Sequence, residues 1–226
     1  MVILDDRELM RPRRVNEAIE WASSELNRIA ALPRGRSLIR LNEDRTVKRL
    51  IEEYLPLTDY CVCKFAGQEV QIRLTRHVKP GVDAYVQKSD GTIIEAIQIT
   101  RASFNYQDLL RMEILEEEGV APAIGKVKLT KRNGHRHKQA GRACRKPQGL
   151  IDNAVEESVE AIHRKTTKNH KDVNVLLVYY ELHGPSSNDA ISEISQKVRE
   201  KLGCIKACFQ NIYLVESRGT VQEITM

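Results

Sequence analysis

No stretch of this sequence approaches the roughly 18 consecutive apolar residues that a bilayer-spanning helix requires. The opening residues, MVILDDRELM, carry acids where a secretory signal needs an apolar core. Cysteine is sparse and unpaired in number: five residues, two of them (Cys61, Cys63) in an apolar run and two (Cys204, Cys208) four apart near an expected helix end. An odd count without a regular framework argues for reduced thiols rather than a disulfide scaffold, and a cytoplasmic location is the expectation. There is no Gly-x-x-x-x-Gly-Lys-Ser/Thr loop, no Gly-x-Gly-x-x-Gly and no Gly-x-Ser-x-Gly elbow, so nucleotide-binding and serine-hydrolase signatures are missing. Internal repeats and low-complexity tails are missing too.

What remains is an ordinary globular composition. The 226 residues are 41% apolar and 30% charged, with a formal net charge of +5 and a pI near 8.9. That length accommodates one large domain, or one domain with appended pieces. The positive balance is mild, and its distribution matters more than its size.

Apolar positions recur at helical spacing from Val15 to Ala31, stopped by Pro33 and Gly35, and again from Asp44 to Leu55, stopped by Pro56. The period then changes. Asp59 to Phe65 and Glu69 to Arg76 alternate and read as a hairpin, Val82 to Gln87 as a further strand, and Thr92 to Thr100 as a central one. Tyr106 to Glu118 reads as a helix, and Ala121 to Pro147 loses periodicity. A long helix from Leu150 to Thr167 comes next, then an apolar strand in Asp172 to Leu182, a helix from Ala190 to Leu202 and a last strand from Asn211 to Glu216. Adjacent strands in the middle imply antiparallel pairing, and the later alternation implies crossovers. The expected fold is therefore α/β, with a mixed central sheet flanked by helices on both faces. The division expected along the chain is a helical segment, 1–56, packed on a core of 57–226 that carries a basic loop at 126–147.

The stretch GVDAYVQKSDGTIIEAIQITRA, from Gly81 to Ala102, carries the chemistry. It sets Asp83 at the start of one strand and Glu95 in the next, joined by a turn at Asp90-Gly91. A hairpin of this length can bring the two carboxylates together near one end of a sheet, depending on register. Side-by-side carboxylates repel in low dielectric, and a divalent cation relieves that repulsion. Magnesium takes one or two carboxylates with waters and substrate phosphate, and so held it can activate water against a phosphodiester.

These residues, with the acidic helix LIEEYL (Glu52, Glu53), the helix at Tyr106, the helix IDNAVEESVEAIHRK and the strand VNVLLVYYEL, resemble the PD-(D/E)xK nuclease superfamily over roughly Arg49 to Glu216. The resemblance implies a restriction-endonuclease-like sheet. It implies a Mg2+ or Mn2+ site held by Asp83, Glu95 and Glu53 (or Glu52), and DNA as substrate. Ile97 stands where the family carries its lysine. Gln98 is the natural substitute, provided a bulge turns it toward Glu95; the catalytic set expected is then Asp83, Glu95 and Gln98.

Between Lys126 and Lys146 lie Lys126, Lys128, Lys131, Arg132, Arg136, Lys138, Arg142, Arg145 and Lys146 with no acid among them. A flexible cationic loop gains affinity for a phosphate backbone by counterion release. It lacks the aromatics that stack on single-stranded bases; double-stranded DNA is the partner the resemblance implies, with DNA versus RNA and a homodimer left open. His135, His137 and Cys144 fall short of a four-ligand zinc set. His163 reads as a surface residue, and His77 is near the carboxylates in sequence only. Two other functions stay open: a catalytically inactive nucleic-acid binder that keeps the nuclease fold, and a protein-interaction module.

Overall fold

The computed structural model describes residues 3–41, 44–76, 81–102, 106–119, 127–132, 135–140, 147–167, 172–181, 187–203 and 209–224. Its helices are α1 (Asp6–Met10), α2 (Val15–Ala30), α3 (Gly35–Leu41), α4 (Arg45–Arg49), α5 (Leu55–Lys64), α6 (Tyr106–Glu118), α7 (Pro147–Thr166) and α8 (Asn188–Leu202). The strands are β1 (Arg13–Arg14), β2 (Gln71–Leu74), β3 (Ala84–Gln87), β4 (Ile93–Arg101), β5 (Val127–Arg132), β6 (His135–Ala140), β7 (Val175–Tyr180), β8 (Asn211–Glu216) and β9 (Val221–Ile224). No helix among the described residues is long and apolar enough to cross a membrane.

Seven strands form one mixed sheet in the order β1-β2-β3-β4-β7-β8-β9. The first four are antiparallel neighbours, β4, β7 and β8 run parallel, and β9 returns antiparallel on β8. All six residues of β7 are buried, as a strand covered on both faces requires. Alternate side chains feed two cores. Val175 and Leu177 join Ile97, Ile99, Ile72 and Leu74 under α1, α2 and α5, with Leu9, Ala22, Leu57 and Tyr60 from those helices. Leu176, Val178 and Tyr180 join Ile212 and Leu214 under α7 and α8, with Val155, Ile162, Ile194 and Val198. The mixed sheet with helices on both faces is as expected.

Local capping explains several boundaries. Asp44 accepts from the amides of Thr46 and Val47, both at 2.9 Å, and so starts α4. Ser187 Oγ accepts from Ala190 N–H at the start of α8, and Gly203, with φ +52°, ends it.

Two expectations are overturned. Asp59 to Lys64 is helical, not a strand, and Phe65 is its C-cap: α4, a π-helical turn at Leu50–Tyr54 and α5 run on from one another without a break. The π turn explains how Pro56 is tolerated. The Leu55 amide reaches back five residues to the Leu50 carbonyl, and Pro56, which has no N–H, falls in the first turn of α5. Leu50, Tyr54, Leu57 and Cys61 are buried at helical spacing through the whole run, and that periodicity outweighs the short alternation of Asp59 to Phe65. This helical segment runs through position 56 and shares a core with the sheet.

The basic stretch is not all loop. β5 and β6 pair antiparallel as a separate two-stranded sheet, with Val127 opposite Ala140 and Arg132 opposite His135. The two intervening residues are Asn133-Gly134, a strong two-residue hairpin signal.

Candidate functional site

Strands β4, β7 and β8 are parallel and end at Arg101, Tyr180 and Glu216, while antiparallel β3 begins beside the end of β4. Their carboxyl ends, the start of β3 and the α4–α5 segment therefore meet along one edge of the sheet. Open α/β sheets place their ligands at such an edge.

Glu53, on the π turn, and Asp83, one residue ahead of β3, are brought within electrostatic reach of each other there. Burial pushes the Glu53 carboxyl up to about 6; the neighbouring Arg49 opposes this, and the Asp83 and Glu52 carboxylates reinforce it. Arg49 is buried and fixes the Glu53 carboxylate. Its Nε donates to Glu53 Oε2 at 3.0 Å, Nη1 to Asp6 Oδ1 at 2.5 Å and Nη2 to the Thr75 carbonyl at 2.8 Å. Asp83 is half-buried and fixed from the opposite side. Its amide donates to the Ile97 carbonyl at 2.9 Å, and its Oδ2 accepts from the Ile99 amide at 2.8 Å. These two bonds clasp the residues on either side of Gln98. Gln98 is itself buried, and its Oε1 has no hydrogen-bond partner among the described residues.

Further along the edge, Arg101 binds Glu52 Oε1 at 2.7 Å and Glu181 Oε1 at 2.5 Å and lies over the Tyr179 ring. Beyond it, Asp59 of α5 is raised to about 6, first by burial and then by the buried Glu216 carboxylate. Glu216 accepts from Ser217 Oγ and from the Arg218 amide.

Glu95 lies elsewhere. It pairs with Val86, whereas the bonds of Asp83 fall on either side of Gln98, three residues on, or about 10 Å along the strand. The register therefore keeps Asp83 and Glu95 apart, correcting the expectation that the hairpin joins them. Glu95 accepts instead from Tyr60 Oη and from Lys64 Nζ, both at 2.8 Å, and Lys64 also reaches Tyr213 Oη at 3.0 Å. Ile97 is fully buried in the core, and the bulge expected near it falls at Val86/Gln87.

Among the described residues no cluster of three or more His, Cys, Asp or Glu can hold a metal. The donor set there is smaller and all oxygen, the Glu53 and Asp83 carboxylates. Gln98 lies between Ile97 and Ile99, which face the Glu53 helix, and is directed by strand alternation to the opposite face, under α7 and α8. Hard oxygen donors of this number, completed by waters and a phosphate, are what magnesium or manganese takes, so the residues present fit such an ion.

Of the nine cations between Lys126 and Lys146, Lys138 is engaged internally: its ammonium lies 2.9 Å from Glu113 and 2.5 Å from Glu117 of α6. Lys128 is exposed. In the ladder, Lys131 pairs with Arg136, and Thr130 with His137. Lys126, Arg142, Arg145 and Lys146 lie outside the described residues, as do Cys144, His77, Cys204 and Cys208. His163 is exposed on α7.

No family model matches the chain, and no curated protein or solved structure is measurably similar to it.

Sequence reading missed the positioning role of Arg49, the Arg101–Glu52–Glu181 cluster and the Asp59–Glu216 pair. The i,i+4 spacing of Arg49 and Glu53 was a usable signal. Nothing local links Asp59 to Glu216, which only the tertiary fold brings near each other.

Proposed function

We propose that this chain is a metal-dependent endonuclease of the PD-(D/E)xK type that hydrolyses phosphodiester bonds in DNA. The observation that carries the reading is the Glu53–Asp83 pair. It couples two carboxylates, one of them raised to about 6, at the edge where an antiparallel meander passes into parallel strands. Supporting it is the order of a helical segment, three meandering strands, helices and a parallel strand, which agrees with the restriction-endonuclease-like arrangement.

In this reading Glu53 and Asp83 would hold the ion, with waters and substrate phosphate as its remaining oxygen donors. A bound Mg2+ or Mn2+ supplies Lewis acidity toward the phosphate and lowers the pKa of a coordinated water. Arg49 is a positioning residue: it fixes the Glu53 carboxylate and limits how far burial raises it. Asp83 is kept in one orientation by the Ile99 amide. At neutral pH Glu53 is mostly ionised and competent to bind a cation, and below about pH 6 it takes up a proton instead.

One observation favours a second reading, a nucleic-acid binder without catalysis. Ile97 stands where the resemblance calls for lysine and is fully buried, so no ammonium enters the site from that position. Conversion of supercoiled plasmid in Mg2+ or Mn2+ separates the two. Metal-dependent nicking by the wild type, abolished in Asp83→Ala and Glu53→Ala, is the expected result. Plasmid bound but never cut in either metal leaves only the binder.

A further inference from the structure

The β5–β6 hairpin stands apart from the main sheet, and its attachment is specific. Val127 packs with Leu110 and Ile114 of α6 in a small core of its own. Lys138 is clamped between Glu113 and Glu117, one helical turn apart on the same helix. Both contacts are made at the same end of the ribbon's register, where Val127 pairs with Ala140 and Leu129 with Lys138. Among the described residues the hairpin is thus seated on α6 through an apolar contact and an ionic clamp. Lys128, Leu129 and Thr130 remain exposed along β5. From Lys126 to Lys146 the sequence has nine Lys or Arg, no Asp or Glu, and no Phe, Trp or Tyr.

We infer that this hairpin is a duplex-binding arm: a two-stranded ribbon whose partner is the major groove of B-form DNA. Three observations combine. The charge, with Lys138 set aside as an anchor, is uncompensated in the sequence and positive, and it matches a polyphosphate. The absence of aromatics removes the stacking platforms that hold single strands. The shape is a ribbon: two strands about 4.8 Å apart, each of six residues and so about 20 Å long. A B-DNA major groove, about 12 Å wide, admits such a ribbon, whereas the deep, narrow major groove of an RNA duplex does not. Twenty ångström spans about six base pairs of groove at roughly 3.4 Å each. This inference rests on the nucleic-acid half of the proposed function and not on catalysis.

The test is fluorescence anisotropy in EDTA, where no metal-dependent cutting occurs, with a labelled 20-base-pair DNA duplex, its single strand and the RNA duplex of the same sequence. The duplex DNA is expected to bind at least tenfold more tightly than either. The variant Lys128→Ala/Lys131→Ala/Arg132→Ala, checked for a native circular-dichroism spectrum and melting temperature, is expected to lose at least tenfold. Its log Kd against log salt slope should become shallower by about 2.7, from about 0.9 per phosphate contact. Equal affinity for single and double strands, or for DNA and RNA duplexes, would overturn the groove assignment. A native triple variant with unchanged affinity and slope would overturn the arm itself. Absence of plasmid nicking leaves this experiment unaffected, so the two readings fail separately.

Discussion

Acidification from pH 7.5 to 5.0 is expected to stabilise this protein, the reverse of ordinary acid behaviour. Two carboxyls have folded-state values above their ordinary ones: Glu53, from 4.5 to about 6, and Asp59, from 3.8 to about 6. A group raised on folding binds more protons in the native state than in the unfolded chain over the interval between the two values. Stability therefore falls as pH rises through that interval. At about 1.4 kcal/mol per pH unit, ionised Glu53 costs the fold about 2 kcal/mol and ionised Asp59 about 3 kcal/mol at pH 7.5. About 2.5 kcal/mol of that is regained by pH 5.0, which lies about one unit below the folded-state values, and the rest returns only as the pH falls to the unfolded ones. With an m-value of about 2.5 kcal/mol/M, the urea midpoint followed by the fluorescence of Trp21 should rise by about 1 M. Asp59→Asn should remove the larger share of the rise, and Asp59→Asn/Glu53→Gln nearly all of it. A midpoint that stays level or falls between pH 7.5 and 5.0 in the wild type would refute the reasoning, because it would mean that neither carboxyl is held in a costly ionised state.

Packing sets two further outcomes. A Cβ added at Gly35 would lie 1.8 Å from the Ile29 carbonyl oxygen, a backbone atom that cannot swing aside. Gly35→Ala should therefore cost about 3 kcal/mol and lower the melting temperature by about 6–12 °C, and an unchanged melting curve would show that the α2–α3 corner yields freely. Glu95→Gln keeps the shape of the side chain and removes the partner of Lys64. It should destabilise by about 2 kcal/mol and leave metal-dependent nicking intact, since Glu95 is tied to Tyr60 and Lys64 away from Asp83. A stably folded Glu95→Gln protein that cannot cut would return Glu95 to the reacting set.

The elements with long, single-period patterns were legible in the sequence. The first amphipathic helix is expected from Val15 to Ala31 and is α2, Val15–Ala30; the last expected strand, Asn211 to Glu216, is β8 with the same ends. The apolar run around Val175 to Tyr180 is readable because a strand buried on both faces carries no polar alternation. Failures came where two periods competed. In Asp59 to Phe65 the side chains alternate over seven residues, yet Leu57, Tyr60 and Cys61 continue a helical stripe begun at Leu50, and the longer pattern prevailed. Pro56 reads as the end of that helix because an α-helical interior excludes proline, and a π turn ahead of it is not foreseeable from composition. The basic hairpin was hidden by its charge, although Asn-Gly between its strands is a hairpin signal in the sequence. At the site, Gln98 is directed by strand alternation to the far face of the sheet, while Asp83 and Glu53 are named by the sequence and are brought to one place. Glu95 is named with them and is not, because a strand's register is fixed by pairing and by the irregularity at Val86/Gln87, neither of which the hairpin's sequence reveals.

The central claim, that Glu53 and Asp83 hold a divalent cation, is tested most directly by titrating Mn2+ at pH 7.5 and counting bound ions by electron paramagnetic resonance. Saturable binding in the wild type and in Glu95→Gln, lost in Asp83→Asn and in Glu53→Gln and weakened at pH 5.0 where Glu53 is protonated, is the predicted result. Binding that survives both Asp83→Asn and Glu53→Gln, or no saturable binding in the wild type at all, would contradict it.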